Sequence, residues 1–185
     1  MTQVPTIFAR PVDTEVVLMT DTKTLNVLFL CTHNSARSIL AEALLNHVGQ
    51  GKFKAYSAGS SPRPNQMPNP MAIAALKHAG VSTEGLSSKS WDVFAGPDAP
   101  KMDLVITVCD NAAGEVCPYW PGQPATAHWG YPDPSEAPGS DAEKLEAFKH
   151  TLLQIKQRLE MLTGMPGAKL SPSAIEKTAR ELANA

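Results

Sequence analysis

Apolar residues follow two spacings along the chain, one typical of buried strands and the other of amphipathic helices. Nearly continuous apolar runs and short alternating segments predict four strands, at 25–31, 53–59, 102–109 and 126–129. Apolar positions three or four residues apart predict three helices, at 38–48, 71–79 and 141–162. Each predicted helix is followed by a glycine within two residues, which is a common helix stop. Residues 86–91 are expected to form a short strand or a turn.

The alternation of strands and helices predicts an α/β fold. Strands that alternate with helices form a parallel sheet covered on both faces, joined by right-handed crossovers. We therefore expect one three-layer domain at 25–163, with a four-stranded parallel sheet flanked by helices. Residues 1–24 are predicted to be an N-terminal extension with a short strand at 15–19, and 164–185 a polar, alanine-rich C-terminal tail with a frayed helix.

Composition narrows the class of protein further. The 185 residues include 16 Lys or Arg against 18 Asp or Glu, a net charge of -2 that does not favour nucleic-acid binding. No apolar run approaches the length of a membrane span, and the first residues lack the pattern of a secretory signal. Three cysteines are an odd number for a disulfide scaffold. We expect a soluble, cytoplasmic monomer that binds neither nucleic acid nor membranes.

The polar loop between the first predicted strand and helix has the composition of an anion-binding site with a nucleophile. It reads Cys-Thr-His-Asn-Ser-Ala-Arg-Ser from Cys31 to Ser38. Backbone N–H groups at a helix N-terminus attract an oxyanion and lower the pKa of a nearby thiol, so we expect Cys31 to be a thiolate. Arg37 would hold two anion oxygens, Ser38 would donate a hydrogen bond to the sulfur, and Asn34 suits a left-handed bend. The remaining anion-binding residues would be Thr32, His33, Asn34, Ser35 and Ala36.

This loop resembles the anion loop of the low-molecular-weight protein tyrosine phosphatases and of the arsenate reductases that share their fold. The resemblance extends from about residue 26 to 162 and implies the four-stranded parallel sheet already expected. It also implies a general acid from an Asp-Pro pair late in the chain, which here is Asp133-Pro134. The thioredoxin-coupled members have a loop similar to the sequence CTGNSCRS. This chain has His33 in place of the glycine and Ala36 in place of the second cysteine. Neither position carries the chemistry.

Two further cysteines distinguish the reductases from the phosphatases. A phosphatase needs one thiolate, an arginine and an acid, whereas a reductase needs additional thiols to supply two electrons. Cys109 ends the second strongly apolar strand and Cys117 follows it in a loop of small residues, and this segment resembles the arsenate reductase branch. Ser135 and Glu136 stand after the Asp-Pro pair, where typical phosphatases of this fold carry aromatic residues.

The resemblance implies a relay in which Cys31 attacks arsenate while Asp133 protonates the departing oxygen. Cys109 then attacks Cys31, arsenite leaves, and Cys117 moves the disulfide to the Cys109–Cys117 pair. No bound cofactor is required, because an external thiol supplies the electrons. Thioredoxin is the expected reductant, and glutathione with glutaredoxin is the alternative, in which case Cys117 would be dispensable.

Two rival functions and one cation site remain open at this point. A phosphatase would hydrolyse phosphate monoesters through a phosphocysteine, and a reductase would retain some of that activity. A regulator that binds oxyanions or senses thiols would turn over neither substrate. Some thioredoxin-coupled members bind potassium beside the loop, and the matching positions here are Asn34, Glu42, Ser57 and Asp92.

Overall fold

A computed structural model describes residues 23–115, 118, 120–166 and 171–185. The strands are β1 (Leu25–Cys31), β2 (Phe53–Gly59), β3 (Leu104–Thr107) and β4 (Ala125–His128). The α-helices are α1 (Arg37–Val48), α2 (Pro70–His78), α3 (Asp110–Gly114), α4 (Asp141–Thr163) and α5 (Pro172–Leu182). Two short 3-10 helices span Trp91–Phe94 and Pro134–Glu136. Within this part of the chain, no helix combines the length and the apolar character needed to cross a membrane.

The four strands form one parallel sheet in the order β2-β1-β3-β4, which confirms the predicted fold class. β1 is central, and its alternating side chains enter two separate cores. Val27 and Phe29 pack in the larger core with residues of α1, α2, α4 and α5. Leu28 and Leu30 pack in the smaller core, which the 3-10 helix at Trp91–Phe94 helps to cover. Burial on both faces explains why the sequence of β1 is almost continuously apolar.

Local signals set the helix boundaries close to the predicted ones. The Asn69 side chain accepts a hydrogen bond from Met71 N, and a proline at the first position of α2 favours the same start. α4 begins with a capping box between Ser140 and Glu143, and Gly164 is its C-terminal cap. These caps account for the agreement at both helices.

Three segments differ from the sequence expectation or lie outside the description. β3 is shorter than the predicted strand because only 104–107 pair along their length, although Val108 N still donates to Leu30 O at 2.8 Å. In the segment 86–91, Ser90 forms a single bridge with Gly59, and a 3-10 helix then begins. The predicted strand at 15–19 lies outside the described residues.

The C-terminal segment contributes to the core more than a frayed helix would. Ile175, Ala179 and Leu182 of α5 are buried in the larger core. The indole Nε1 of Trp129, at the end of β4, donates a hydrogen bond to the Ala179 carbonyl oxygen at 2.8 Å. α5 therefore adds an ordered helix beside β4, and the division of the chain at residue 164 remains a prediction.

Candidate active site

The carboxyl end of β1 passes directly into the loop that the sequence singles out. Asn34 adopts a φ of 52°, the left-handed bend expected from its residue type. Its backbone N–H donates to Cys31 Sγ at 3.2 Å, and Ser38 Oγ lies 2.8 Å from the same sulfur. No side chain caps the N-terminus of α1 at Ala36, so its first backbone N–H groups are available to an anion. The loop thus surrounds the Cys31 sulfur with donors.

A close approach between the loop and β2 requires glycine at residue 59. A Cβ atom added there would lie 2.7 Å from the Thr32 carbonyl oxygen and 3.0 Å from Asn34 N. Neighbouring Ser60 and Ser61 donate their backbone N–H groups to the carbonyl oxygens of Cys31 and Thr32. The end of β2 therefore holds the first half of the loop in place.

The buried environment of Cys31 opposes the thiolate expected from the sequence. Burial raises the pKa of the Cys31 thiol above its usual value, and the nearby Cys109 thiol raises it further, whereas hydrogen bonds with Ser38 and Asn34 lower it. Burial is the largest of these effects because the sulfur is almost completely removed from water. The expectation that Cys31 is a thiolate at neutral pH is therefore not supported by this geometry.

The second thiol of the predicted relay lies against the same loop. Cys109 follows β3, at the N-terminus of α3, and its Sγ is 3.6 Å from Thr32 Oγ1. Both described cysteines, Cys31 and Cys109, are buried free thiols. The structure thus brings together two cysteines that are 78 positions apart in the chain. Cys117, the third predicted thiol, lies outside the described residues.

Arg37 and Asp133 meet at the open side of the loop. Arg37 donates from one guanidinium nitrogen to the Tyr131 carbonyl oxygen and from the other to Asp133 Oδ2, both at 2.8 Å. The second oxygen of Asp133 accepts from the backbone N–H and the hydroxyl of Ser135. These contacts flank a cleft of about 430 Å³ that Arg37, Cys109 and Asp133 line together. The cleft thus places the guanidinium, the carboxylate and the second thiol on one surface.

The His33 side chain contacts the segment that follows β2. Its Nδ1 lies 2.9 Å from the Ser61 carbonyl oxygen on the exposed side of the loop. Ser35 contributes through its backbone, where its carbonyl oxygen accepts from Asn69 N at the start of α2. Both residues therefore help to position the loop in this structure, and their predicted contact with the anion remains untested.

Three of the four residues matched to a potassium site lie together beneath the loop, but the fourth does not join them. Asn34 Nδ2 donates to Ser57 Oγ at 2.8 Å, and Ser57 donates to Glu42 Oε2. Asp92 is exposed, and its carboxylate accepts a hydrogen bond from Ser90 instead. The Lys89 ammonium, which the sequence analysis did not consider, lies 3.9 Å from Glu42 Oε2.

The arrangement beneath the loop does not fit a potassium ion. A cation needs several oxygen ligands, and the Lys89 ammonium already lies against the one charged oxygen ligand of the cluster. Within the described ranges, no group of three or more His, Cys, Asp or Glu side chains is arranged to hold a metal ion. Burial raises the pKa of Glu42 and lowers that of Lys89, while the attraction between the two charges opposes both shifts.

Comparison with known proteins places the chain in a family. Residues 26–178 match the family model of the low molecular weight phosphotyrosine protein phosphatases, and the chain belongs to this family. Within the family it is similar to proteins named arsenate reductase. That of Halalkalibacterium halodurans is 35% identical over 134 residues, which are 72% of this chain and 91% of that protein. That of Bacillus subtilis is 34% identical over 134 residues, with the same coverage of the two chains.

Solved structures give the same assignment. A structure described as an arsenate reductase in the phosphate binding state has 28% identity and a TM-score of 0.59, and the match covers 76% of this chain and 98% of that one. Another, described as an arsenate reductase in oxidized state, has 29% identity and a TM-score of 0.60, with 75% and 96% coverage. The predicted resemblance to this family and its arsenate reductases is confirmed. The family match continues to residue 178 and so includes part of α5.

Proposed function

We propose that this chain is an enzyme that reduces arsenate to arsenite with electrons from its own thiols. The observation that carries the proposal is the position of Cys109, whose sulfur lies at the anion loop beside the residue that follows Cys31. Hydrolysis through a phosphocysteine requires one thiol, whereas reduction requires a second thiol within reach of the first. The similarity to proteins named arsenate reductase supports the same choice.

In the first step, the loop N–H groups and Arg37 bind arsenate, and Cys31 attacks the arsenic atom after its thiol has lost a proton. A sulfur–arsenic bond forms, and an oxygen departs as water after it receives a proton from Asp133. The contact of Arg37 with Asp133 supports these roles, because it places the carboxyl group beside the guanidinium that would bind the anion. Asp133 is a carboxylate in this ion pair, so it must first take up a proton, and the proton that the Cys31 thiol loses balances the step. Asp133 must exchange its contact with Arg37 for one with the substrate oxygen.

In the second step, the Cys109 sulfur attacks the Cys31 sulfur. The electron pair of the sulfur–arsenic bond passes to arsenic, which leaves as arsenite, and a Cys31–Cys109 disulfide remains. Arsenic gains two electrons, and the two thiols lose two. The burial of both sulfurs supports this step, because water is kept away from the thioarsenate intermediate.

Recovery of the enzyme requires an external reductant, and the thioredoxin route requires a third thiol as well. We propose that the Cys117 thiolate attacks Cys109, which releases Cys31 and leaves a Cys109–Cys117 disulfide for thioredoxin to reduce. Residues 110–114 form a single short helix between the two cysteines, and this helix contains two alanines and a glycine. A helix this short unfolds locally at a low cost in free energy, which supports the movement that the exchange needs. Glutathione with glutaredoxin is the alternative reductant and would act directly on the first disulfide.

The test is arsenate-dependent oxidation of NADPH, measured with thioredoxin and thioredoxin reductase beside a set with glutathione, glutathione reductase and glutaredoxin. We expect turnover that disappears in Cys31→Ser and Cys109→Ser, and the set that responds identifies the reductant. Hydrolysis of an aryl phosphate is measured on the same variants. Aryl phosphate hydrolysis that survives Cys109→Ser, without arsenate turnover in either set, would establish a phosphatase. Absence of both activities, with anion binding that depends on Arg37, would indicate a regulator.

A further inference from the structure

A partly buried ion pair lies beneath the anion loop and is not used in the mechanism above. Glu42 of α1 and Lys89 of the segment after α2 have side chains that are only 13% and 24% exposed. The Lys89 ammonium lies 3.9 Å from Glu42 Oε2 and donates to the Ser87 carbonyl oxygen at 2.9 Å. An ammonium held between a carboxylate and a carbonyl oxygen occupies the kind of position that a small cation would take.

Hydrogen bonds connect this pair to the Cys31 sulfur. Ser57 donates its hydroxyl hydrogen to the Glu42 carboxylate and accepts from Asn34 Nδ2 at 2.8 Å. Asn34 Nδ2 donates its other hydrogen to Ser38 Oγ at 2.9 Å, and Ser38 Oγ lies 2.8 Å from Cys31 Sγ. Asn34, Ser38 and Ser57 are all completely buried, so water cannot replace any of these partners.

The charge on Glu42 and the backbone N–H of Lys89 together set the directions of these hydrogen bonds. A carboxylate can only accept, so Ser57 must donate to it and is left to accept from Asn34. The Asn34 amide cannot turn over, because its Oδ1 accepts the backbone N–H of Lys89 at 2.9 Å. Ser38 therefore receives a hydrogen from Asn34, and its own hydrogen is free to point at the Cys31 sulfur.

We propose that Lys89 is a positioning residue whose ammonium takes the place of a bound monovalent cation and keeps the hydrogen bonds beneath the loop directed toward the Cys31 sulfur. Lys89 contributes through two groups: its ammonium neutralises the charge of Glu42, and its backbone N–H fixes the orientation of the Asn34 amide. The site consequently needs no potassium, and removal of the ammonium creates a place where potassium can bind. The inference rests on the proposed function only in taking Cys31 as the reacting thiol.

The test uses three full-length variants, Lys89→Met, Lys89→Arg and, as a matched control, Lys52→Met, which removes an exposed lysine on the turn before β2. Each is made with Cys109→Ser and Cys117→Ser, so that iodoacetamide reports on Cys31 alone. The alkylation rate and the unfolding temperature are measured at neutral pH in potassium chloride and in choline chloride of equal ionic strength. Neither readout requires arsenate, so failure of the proposed function would not affect the result.

We expect the parent and Lys52→Met to give the same alkylation rate and unfolding temperature in both salts. Lys89→Met should react about tenfold more slowly in choline chloride, the size expected for weakening one hydrogen bond to a charged sulfur. Potassium chloride should restore part of the rate and raise the unfolding temperature of this variant, because binding to the folded state stabilises it. Lys89→Arg, which keeps the positive charge, should remain close to the parent.

Two results would overturn the proposal. A potassium-dependent rise in the unfolding temperature of the parent would show that a metal ion binds in addition to Lys89. An unchanged alkylation rate in Lys89→Met would show that the ion pair does not influence the sulfur. If Lys89→Met does not fold, the parent and Lys89→Arg still decide the question through their response to potassium.

Discussion

Ser38→Ala removes one hydroxyl group from the site and tests how the loop stabilises the Cys31 thiolate. Ser38 is completely buried, and its Oγ lies 2.8 Å from Cys31 Sγ and 2.9 Å from Asn34 Nδ2. A hydrogen bond to a charged group contributes about 1.5–3 kcal/mol, and loss of that amount from the attacking thiolate corresponds to a decrease of roughly tenfold to a hundredfold in kcat/KM. The variant also leaves one Asn34 hydrogen without a partner, which costs about 1–3 kcal/mol of folding stability.

The assay combines arsenate turnover with the pH dependence of Cys31 alkylation. The hydrogen bond from Ser38 lowers the pKa of Cys31, so its removal should move the alkylation profile to higher pH. Thr151→Val is the matched control, since it removes another buried hydroxyl, one that donates to the Ala147 carbonyl oxygen within α4, away from the sulfur. A folded Ser38→Ala protein with the parent's turnover and alkylation profile would refute the reasoning.

Three further predictions concern the guanidinium, the burial of the nucleophile and the anchoring of α5. Arg37→Lys removes the pair of guanidinium donors that now bind Tyr131 O and Asp133 and that would bind two oxygens of arsenate. The kcat/KM for arsenate should therefore fall by about tenfold to a hundredfold in the coupled assay. Burial raises the pKa of Cys31 in the folded state, so the folded protein loses free energy of unfolding as the pH rises above about 9. Cys31→Ala lacks this thiol and should lose less free energy of unfolding than the parent above that pH, measured by urea denaturation. Trp129→Phe leaves the Ala179 carbonyl without its indole donor and should lower the free energy of unfolding by about 1–3 kcal/mol, measured by urea denaturation.

The parts of the fold predicted from the sequence are those whose signals are local. β1 and β2 begin and end at the predicted residues, because each is bounded by polar or glycine-rich turns. The apolar residues of α5 are few and lie among charged ones, so the predicted frayed helix underestimates its contribution to the core. The signal was nonetheless present in Ser171-Pro172, a capping residue followed by proline, and in Ile175, Ala179 and Leu182 at helical spacing.

In the candidate site, too, the sequence predicts the local features and misses those that depend on residues far apart in the chain. The bend at Asn34 and the contact between Ser38 and Cys31 follow from residue types within eight consecutive positions. The pairing of Lys89 with Glu42 could not be predicted, because the two residues are 47 positions apart and Lys89 lies in a segment without hydrophobic periodicity. The raised pKa of Cys31 was also missed, since it depends on the burial of the sulfur in the folded protein.

A single turnover with arsenate and no external reductant tests the central claim most directly. The fully reduced protein is mixed with arsenate and quenched with acid, arsenite is quantified, and disulfides are located by mass spectrometry. We predict about one arsenite per chain in the parent and in Cys117→Ser, with a Cys31–Cys109 disulfide retained in the latter, and none in Cys109→Ser. Arsenite formed by Cys109→Ser, or formed by Cys117→Ser without a disulfide to Cys31, would contradict the account.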